Sequence, residues 1–102
     1  MNIKFNYLYR DASNYKNYNS IIFSNSENLS ITDIEKMITS NLIDQQFFVA
    51  SKINIPEIFL SSEYGFNEDD HSWHEFESLE ETDEAVTDEL NRNISDFVNE
   101  LK

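Results

Sequence analysis

The chain is 102 residues long and carries 20 Asp and Glu against 7 Lys and Arg, a formal net charge of -13, with 39% hydrophobic residues and no cysteine. A chain of this length forms one domain, residues 1–102, around a modest core that hides roughly 60–70% of the unfolded surface, and its apolar content separates it from chains too polar to fold. The missing thiols exclude disulfide scaffolds, thiolate zinc centres and cysteine nucleophiles, and one Gly with one Pro leaves no way to write a P-loop or a dinucleotide fingerprint.

Asn2 to Tyr9 alternates polar and apolar residues, which places Ile3, Phe5, Tyr7 and Tyr9 on one face of a first strand. Asp11 to Asn19, rich in Asn, Asp and Ser, reads as a loop, and the β-branched run Ser20-Ile21-Ile22-Phe23-Ser24 closes a hairpin. Ser30 offers a hydroxyl to the exposed amides of a helix and Asp33 suits its positive end. Ile31, Ile34, Met37, Ile38 and Leu42 follow at helical spacing, which predicts a helix from about Thr32 to Leu42. Gln46 to Ser51 is a short apolar run, predicting a central strand buried on both faces. Pro56 cannot donate to a ladder, so Ile58-Phe59-Leu60 reads as an edge strand or a packed loop.

Ser61 to Ser72, with the single glycine Gly65, reads as an exposed loop, and Trp73 to Leu79 as the last strand. Thr82 then caps a predicted final helix whose first turn, Asp83-Glu84, complements the dipole and whose stripe is Val86, Leu90, Ile94, Phe97 and Leu101. The expected fold is α+β, a mainly antiparallel sheet of four or five strands packed by two helices in a two-layer sandwich, in the order β-β-α-β-(β)-β-α. Thirteen Asn supply the tight turns, because Asn tolerates the left-handed conformation.

The charge is regional. Met1 to Lys52 holds five acids and five bases, whereas Ile53 to Asn91 holds thirteen carboxylates and neither Lys nor Arg. Such a block repels itself, a cost that a cationic partner relieves. Direct nucleic-acid binding is disfavoured because it needs a cationic footprint. No apolar stretch reaches signal-peptide or membrane-span length, so a soluble cytoplasmic protein without membrane contact is expected.

Both histidines lie in Glu68-Asp69-Asp70-His71-Ser72-Trp73-His74-Glu75. On a helix the spacing of His71 and His74 puts both rings on one face beside Asp70 and Glu75, a donor set for zinc or another divalent transition metal. On a strand the rings point to opposite sides. A carboxylate pair such as Glu75 and Glu77 could serve acid-base chemistry, but so many acids supply such a pair at any spacing, and no nucleophile, base and orienter can be assigned. No enzyme and no cofactor are therefore expected. A second feature is the crowding of Tyr7, Tyr9, Arg10, Tyr15, Lys16 and Tyr18 along the first hairpin, where Tyr and Arg suit protein recognition.

The segments FNYLYRDASNYK (5–16), LIDQQFFVA (42–50) and DHSWHEF (70–76) resemble those of a family of small acidic bacterial proteins. The likeness runs over most of residues 3–80 and implies no particular activity, cofactor or partner. In size and charge the chain is also similar to immunity proteins that neutralise bacterial toxins, a likeness of composition without a motif.

The functional expectation is a non-catalytic acidic interaction module, an inhibitor or immunity protein or a DNA mimic, that binds a basic protein such as a nuclease. The partner-binding candidates are Glu63, Glu68, Asp69, Asp70, Trp73, Glu75, Phe76, Glu77, Glu80 and Glu81. Tyr9, Arg10, Tyr15, Lys16 and Tyr18 form a secondary recognition patch. The alternative is a metal-binding protein or metal-dependent enzyme built on His71, His74, Asp70 and Glu75.

Overall fold

The computed structural model describes residues 1–10, 15–58 and 73–102. The expected loop from Ser61 to Ser72, with Phe59, Leu60, Glu63, Glu68, Asp69, Asp70 and His71, lies outside them. Within the described residues the backbone forms strands β1 (Asn2–Arg10), β2 (Lys16–Phe23), β3 (Phe47–Phe48) and β4 (His74–Thr82), helices α1 (Ile31–Thr39) and α2 (Ile94–Glu100), and a 3-10 turn at Ala50–Ile53. The sheet is antiparallel with strand order β2-β1-β4-β3, so the fold is α+β, and none of these helices is long and apolar enough to cross a membrane.

β1 is central because its alternation serves both neighbours. Ile3, Phe5, Tyr7 and Tyr9 are all buried, and the register sets Phe23 beside Ile3 and Ile21 beside Phe5 on β2, with Leu79 beside Phe5 and Phe76 beside Tyr7 on β4. Ile34 and Ile38 of α1 and Ile94, Phe97 and Val98 of α2 cover this face. Ser30 caps α1 by accepting from the Asp33 amide at 3.2 Å. The other face carries Asn6, bonded to Ser20 and Ser78, and the buried Leu8. A register shift between Asn6 and Tyr7 inserts Glu77 as an extra residue in β4, a bulge that changes the direction in which the following side chains point.

Three expectations are corrected. Lys16 to Asn19, read as part of the hairpin loop, belongs to β2, because pairing with Arg10 to Tyr7 of β1 overrides its turn-forming composition. Gln46 to Ser51 is not a central strand. Only Phe47 and Phe48 pair, at the sheet edge beyond β4, because Asp44 and Gln45 take positive φ and fold Ile43 back onto Phe47, while the chain winds into the 3-10 turn from Ala50. The last helix does not start after Thr82 either. Thr82 still pairs with Asn2, and the next segment is held to the edge of β2, where Thr87 and Asp88 donate to the Ile22 carbonyl at 3.0 and 3.2 Å and the Thr87 hydroxyl accepts from the Ile22 amide at 2.8 Å. Leu90, expected in the buried stripe, is exposed. Asn91 turns the chain at φ 54, and Asn93 with Asp96 forms a capping box that starts α2 at Ile94. Asn28, Asn54 and Asn91 all take positive φ, as the scarcity of glycine requires.

Ile58 carries no regular secondary structure and runs as a packed segment over the core face. Its amide donates to His74, the Pro56 carbonyl accepts from the Tyr7 hydroxyl at 2.8 Å, and the Ile58 carbonyl accepts from Asn17 at 2.9 Å. Burial pushes the Tyr7 phenol above its ordinary range, against the lowering effect of the hydrogen bond that Asn19 donates to it.

Candidate functional site

Among the described residues, β4 and the segment after it leave a run of carboxylates in solvent. Glu77, Glu80, Glu81, Asp83 and Glu84 are exposed. Glu80 stands opposite Lys4 and Glu81 opposite Ile3, on alternate sides of the strand, and the bulge at Glu77 opens the fan further. Because β3 pairs only with His74 and Glu75 at the start of β4, through Phe48 and Phe47, the acids flank an edge of β4 without a neighbouring strand among the described residues. Lys4 pairs with Glu84 at 3.5 Å. Glu77, Glu80 and Glu81 make no ion pair among the described residues.

The other candidates are distributed as follows. Glu75 is half-buried on the face away from the helices and accepts from Arg10 at 2.9 Å, so one carboxylate of the acidic stretch is already matched. Trp73 is 38% exposed and stands against Phe47 at 5.5 Å between ring centroids. Phe76 turns inward, stacked on Phe5 at 5.4 Å, which leaves Trp73 as the solvent-facing aromatic at this end of β4 among the described residues. In the secondary patch, Tyr15, Lys16 and Tyr18 are exposed. Tyr9 is not: it is 1% exposed and packs on His74 at 5.3 Å, as the inward phase of β1 demands.

The two metal candidates among the described residues, His74 and Glu75, lie on opposite faces of the sheet. His74 is fully buried among Tyr7, Tyr9 and Phe48, and its Nε2 accepts from the Ile58 amide at 3.0 Å. That bond occupies the Nε2 lone pair and requires the proton of a neutral ring to sit on Nδ1. Glu75, the next residue in the strand, projects to the other face. Among the described residues no three His, Asp or Glu side chains form a group able to hold a metal ion; Asp70 and His71 lie outside those residues.

The strongest electrostatic feature of the interior is one that sequence reasoning placed elsewhere. Asp88 belongs by sequence to the acidic stretch, yet it is 7% exposed and held by Arg92, also 7% exposed. Arg92 donates from Nε and Nη2 to the two carboxylate oxygens at 2.9 and 2.8 Å, from Nη1 to the Ile53 carbonyl at 2.8 Å and to Glu100, and from Nη2 to the Asn54 carbonyl at 3.2 Å. Its guanidinium lies over Phe23 and Phe97. The four-residue spacing of Asp88 and Arg92 is the one signal in the sequence for this pair, and it does not tell a buried pair from an exposed one.

Burial raises the Asp88 carboxyl, but the hydrogen bonds and charge of Arg92 outweigh it and hold the group below its ordinary range. A carboxyl depressed on folding stabilises the fold above its unfolded pKa, about 3.9, and that contribution is lost as pH falls through the lower folded value. The melting-temperature difference between wild type and Asp88→Asn is therefore constant from pH 7 to about 5 and shrinks below about 4. A difference that stays constant down to pH 2.5 would contradict this assignment.

Comparison of the chain with protein-family models, with curated proteins and with solved structures finds no match.

Proposed function

We propose that this chain is a non-catalytic recognition protein that offers an acidic surface to a basic protein. The observation that carries the reading is the exposed set Glu77, Glu80 and Glu81 on β4, which has no ion-pair partner among the described residues and belongs to a stretch with no Lys or Arg from Ile53 to Asn91. A rigid strand fixes where these charges stand, so they steer a cationic surface into one orientation rather than only keeping the chain soluble. Trp73, partly exposed beside Phe47, supplies an aromatic contact at the end of the same strand. An inhibitor or immunity protein for a nuclease is the form that suits this chemistry best, since a cleft that binds phosphates is cationic and an acidic protein competes for it.

Capture from the source cell at low salt and again at about 0.5 M, where the screening length falls to a few ångströms, tests the reading. A basic protein retained at low salt and released at high salt is expected, and the Glu77→Gln/Glu80→Gln/Glu81→Gln variant loses it while melting normally. Failure to retain any basic protein at low salt, or equal retention by the triple variant, would overturn the proposal.

A further inference from the structure

The sheet has two edges that differ in how they are guarded. The open part of β4 carries Glu77, Glu80 and Glu81, so pairing it with another copy would bring like charges together. β2 is different. From Tyr15 through Asn25 the only charged residue is Lys16, in a chain whose net charge is -13.

The direction of the β2 backbone follows from Ile22. Its amide and carbonyl both point away from β1, since they bond to Thr87 and Asp88. In a regular antiparallel ladder the outward residues alternate, and the β1–β2 register is unbroken from Ile3–Phe23 to Arg10–Lys16. Ser20, Tyr18 and Lys16 therefore present their amides and carbonyls outward as well, and these have no partner among the described residues. Thr87 closes the ladder at Ile22, leaving Lys16 to Ser20 as an edge that is free among the described residues. Tyr18 is 58% exposed there.

We infer that the free edge of β2 pairs antiparallel with the same edge of a second copy, about a two-fold axis at Tyr18. This register sets Tyr18 opposite Tyr18 and Lys16 of each copy opposite Ser20 of the other, so all three outward residues bond and no like charges face each other. About six backbone hydrogen bonds form, and Thr87 stops the ladder from running further. The inference goes beyond the acidic-surface reading and uses the opposite edge of the sheet.

Salt separates the two. Screening weakens attraction to a basic partner but relieves repulsion between two copies of charge -13, so dimer formation strengthens as salt rises. Sedimentation of the purified chain at submillimolar concentration should give twice the 12.0 kDa monomer mass at about 0.5 M salt and a smaller dimer fraction at low salt. Tyr18→Pro removes one outward donor without touching the β1 ladder, and Tyr18→Glu places two carboxylates on the axis; both variants should sediment as monomers. Their melting is read in parallel, and Tyr18→Glu, a change at an exposed side chain, carries the test if Tyr18→Pro does not fold. A wild-type chain that stays monomeric at high salt overturns the proposal, including the case in which a foreign extended segment is the true occupant. A Tyr18→Glu variant that dimerises like wild type overturns it too.

Discussion

Arg92→Ala should lower the unfolding free energy by about 3–5 kcal/mol, the cost typical of breaking a buried ion pair from one side. Arg92 ties the two ends of its own segment, Asp88 before α2 and Glu100 at the end of α2, to the Ile53 and Asn54 carbonyls at the end of the 3-10 turn, almost forty residues earlier in the chain. Truncation removes both side-chain bonds from a carboxylate that is 2% exposed in the intact pair, leaving it only backbone donors, and it strands two carbonyls. The loss is mainly a desolvation penalty, so the pair need not be strongly favourable in itself. Replacing both partners with apolar residues, Asp88→Leu with Arg92→Met, should therefore cost less than the sum of the single losses. Urea unfolding of wild type, Arg92→Ala, Asp88→Leu, Arg92→Met and the Asp88→Leu/Arg92→Met variant checks this, and an Arg92→Ala loss below about 1 kcal/mol would contradict the role given to the pair.

Phe97→Ala should cost about 3–5 kcal/mol, the range for a truncated core phenylalanine. The ring is fully buried, stacks on Phe23 at 4.4 Å between centroids and meets Phe5 edge-on at 5.0 Å. It joins α2 to the central strand, and it also lies under the Arg92 guanidinium, 5.3 Å from the ring centroid. The two predicted losses are therefore coupled: the Arg92→Ala/Phe97→Ala double variant should fall short of their sum by about 0.5–1 kcal/mol, the worth of an arginine over an aromatic face. Full additivity would place the guanidinium's stabilisation in its polar contacts alone.

Much of the fold was readable because local and tertiary requirements agree. β1 alternates along its whole length and has a helix-covered face, so its period alone assigns Ile3, Phe5, Tyr7 and Tyr9 to the core. α1 has both a serine cap and a periodic stripe. The errors fall where a non-local bond overrides a local preference. Val86 and Leu90 continue the helical spacing of Ile94 and Phe97, but the bonds from Thr87 and Asp88 to Ile22 hold that segment against β2. The Phe47-Phe48 run has strand composition without the length of a central strand, and the reversal at Asp44-Gln45 sends it to the edge.

The candidate site was legible as composition and less so as geometry. Thirteen acids in the base-free stretch mark an acidic region, but counting does not distinguish Asp88, which is buried, or Glu75, which is matched by Arg10, from Glu77, Glu80 and Glu81. That distinction depends on strand phase, on the bulge at Glu77 and on which residue of β1 stands opposite. Phe76 and Trp73 are equally aromatic in sequence; the pairing of Phe76 with Tyr7 turns one inward, and the start of β4 leaves the other partly in solvent.

The most direct test of the acidic-surface account is the association rate constant between the chain and the basic protein it retains, measured across ionic strength. Rate is the right observable because steering by exposed charge acts on encounter more than on the docked complex. The account predicts a steep fall with salt for wild type, association at least about tenfold slower for the Glu77→Gln/Glu80→Gln/Glu81→Gln variant at low salt, and convergence of the two at high salt. Equal rates at low salt, or a wild-type rate that salt leaves unchanged, would contradict it.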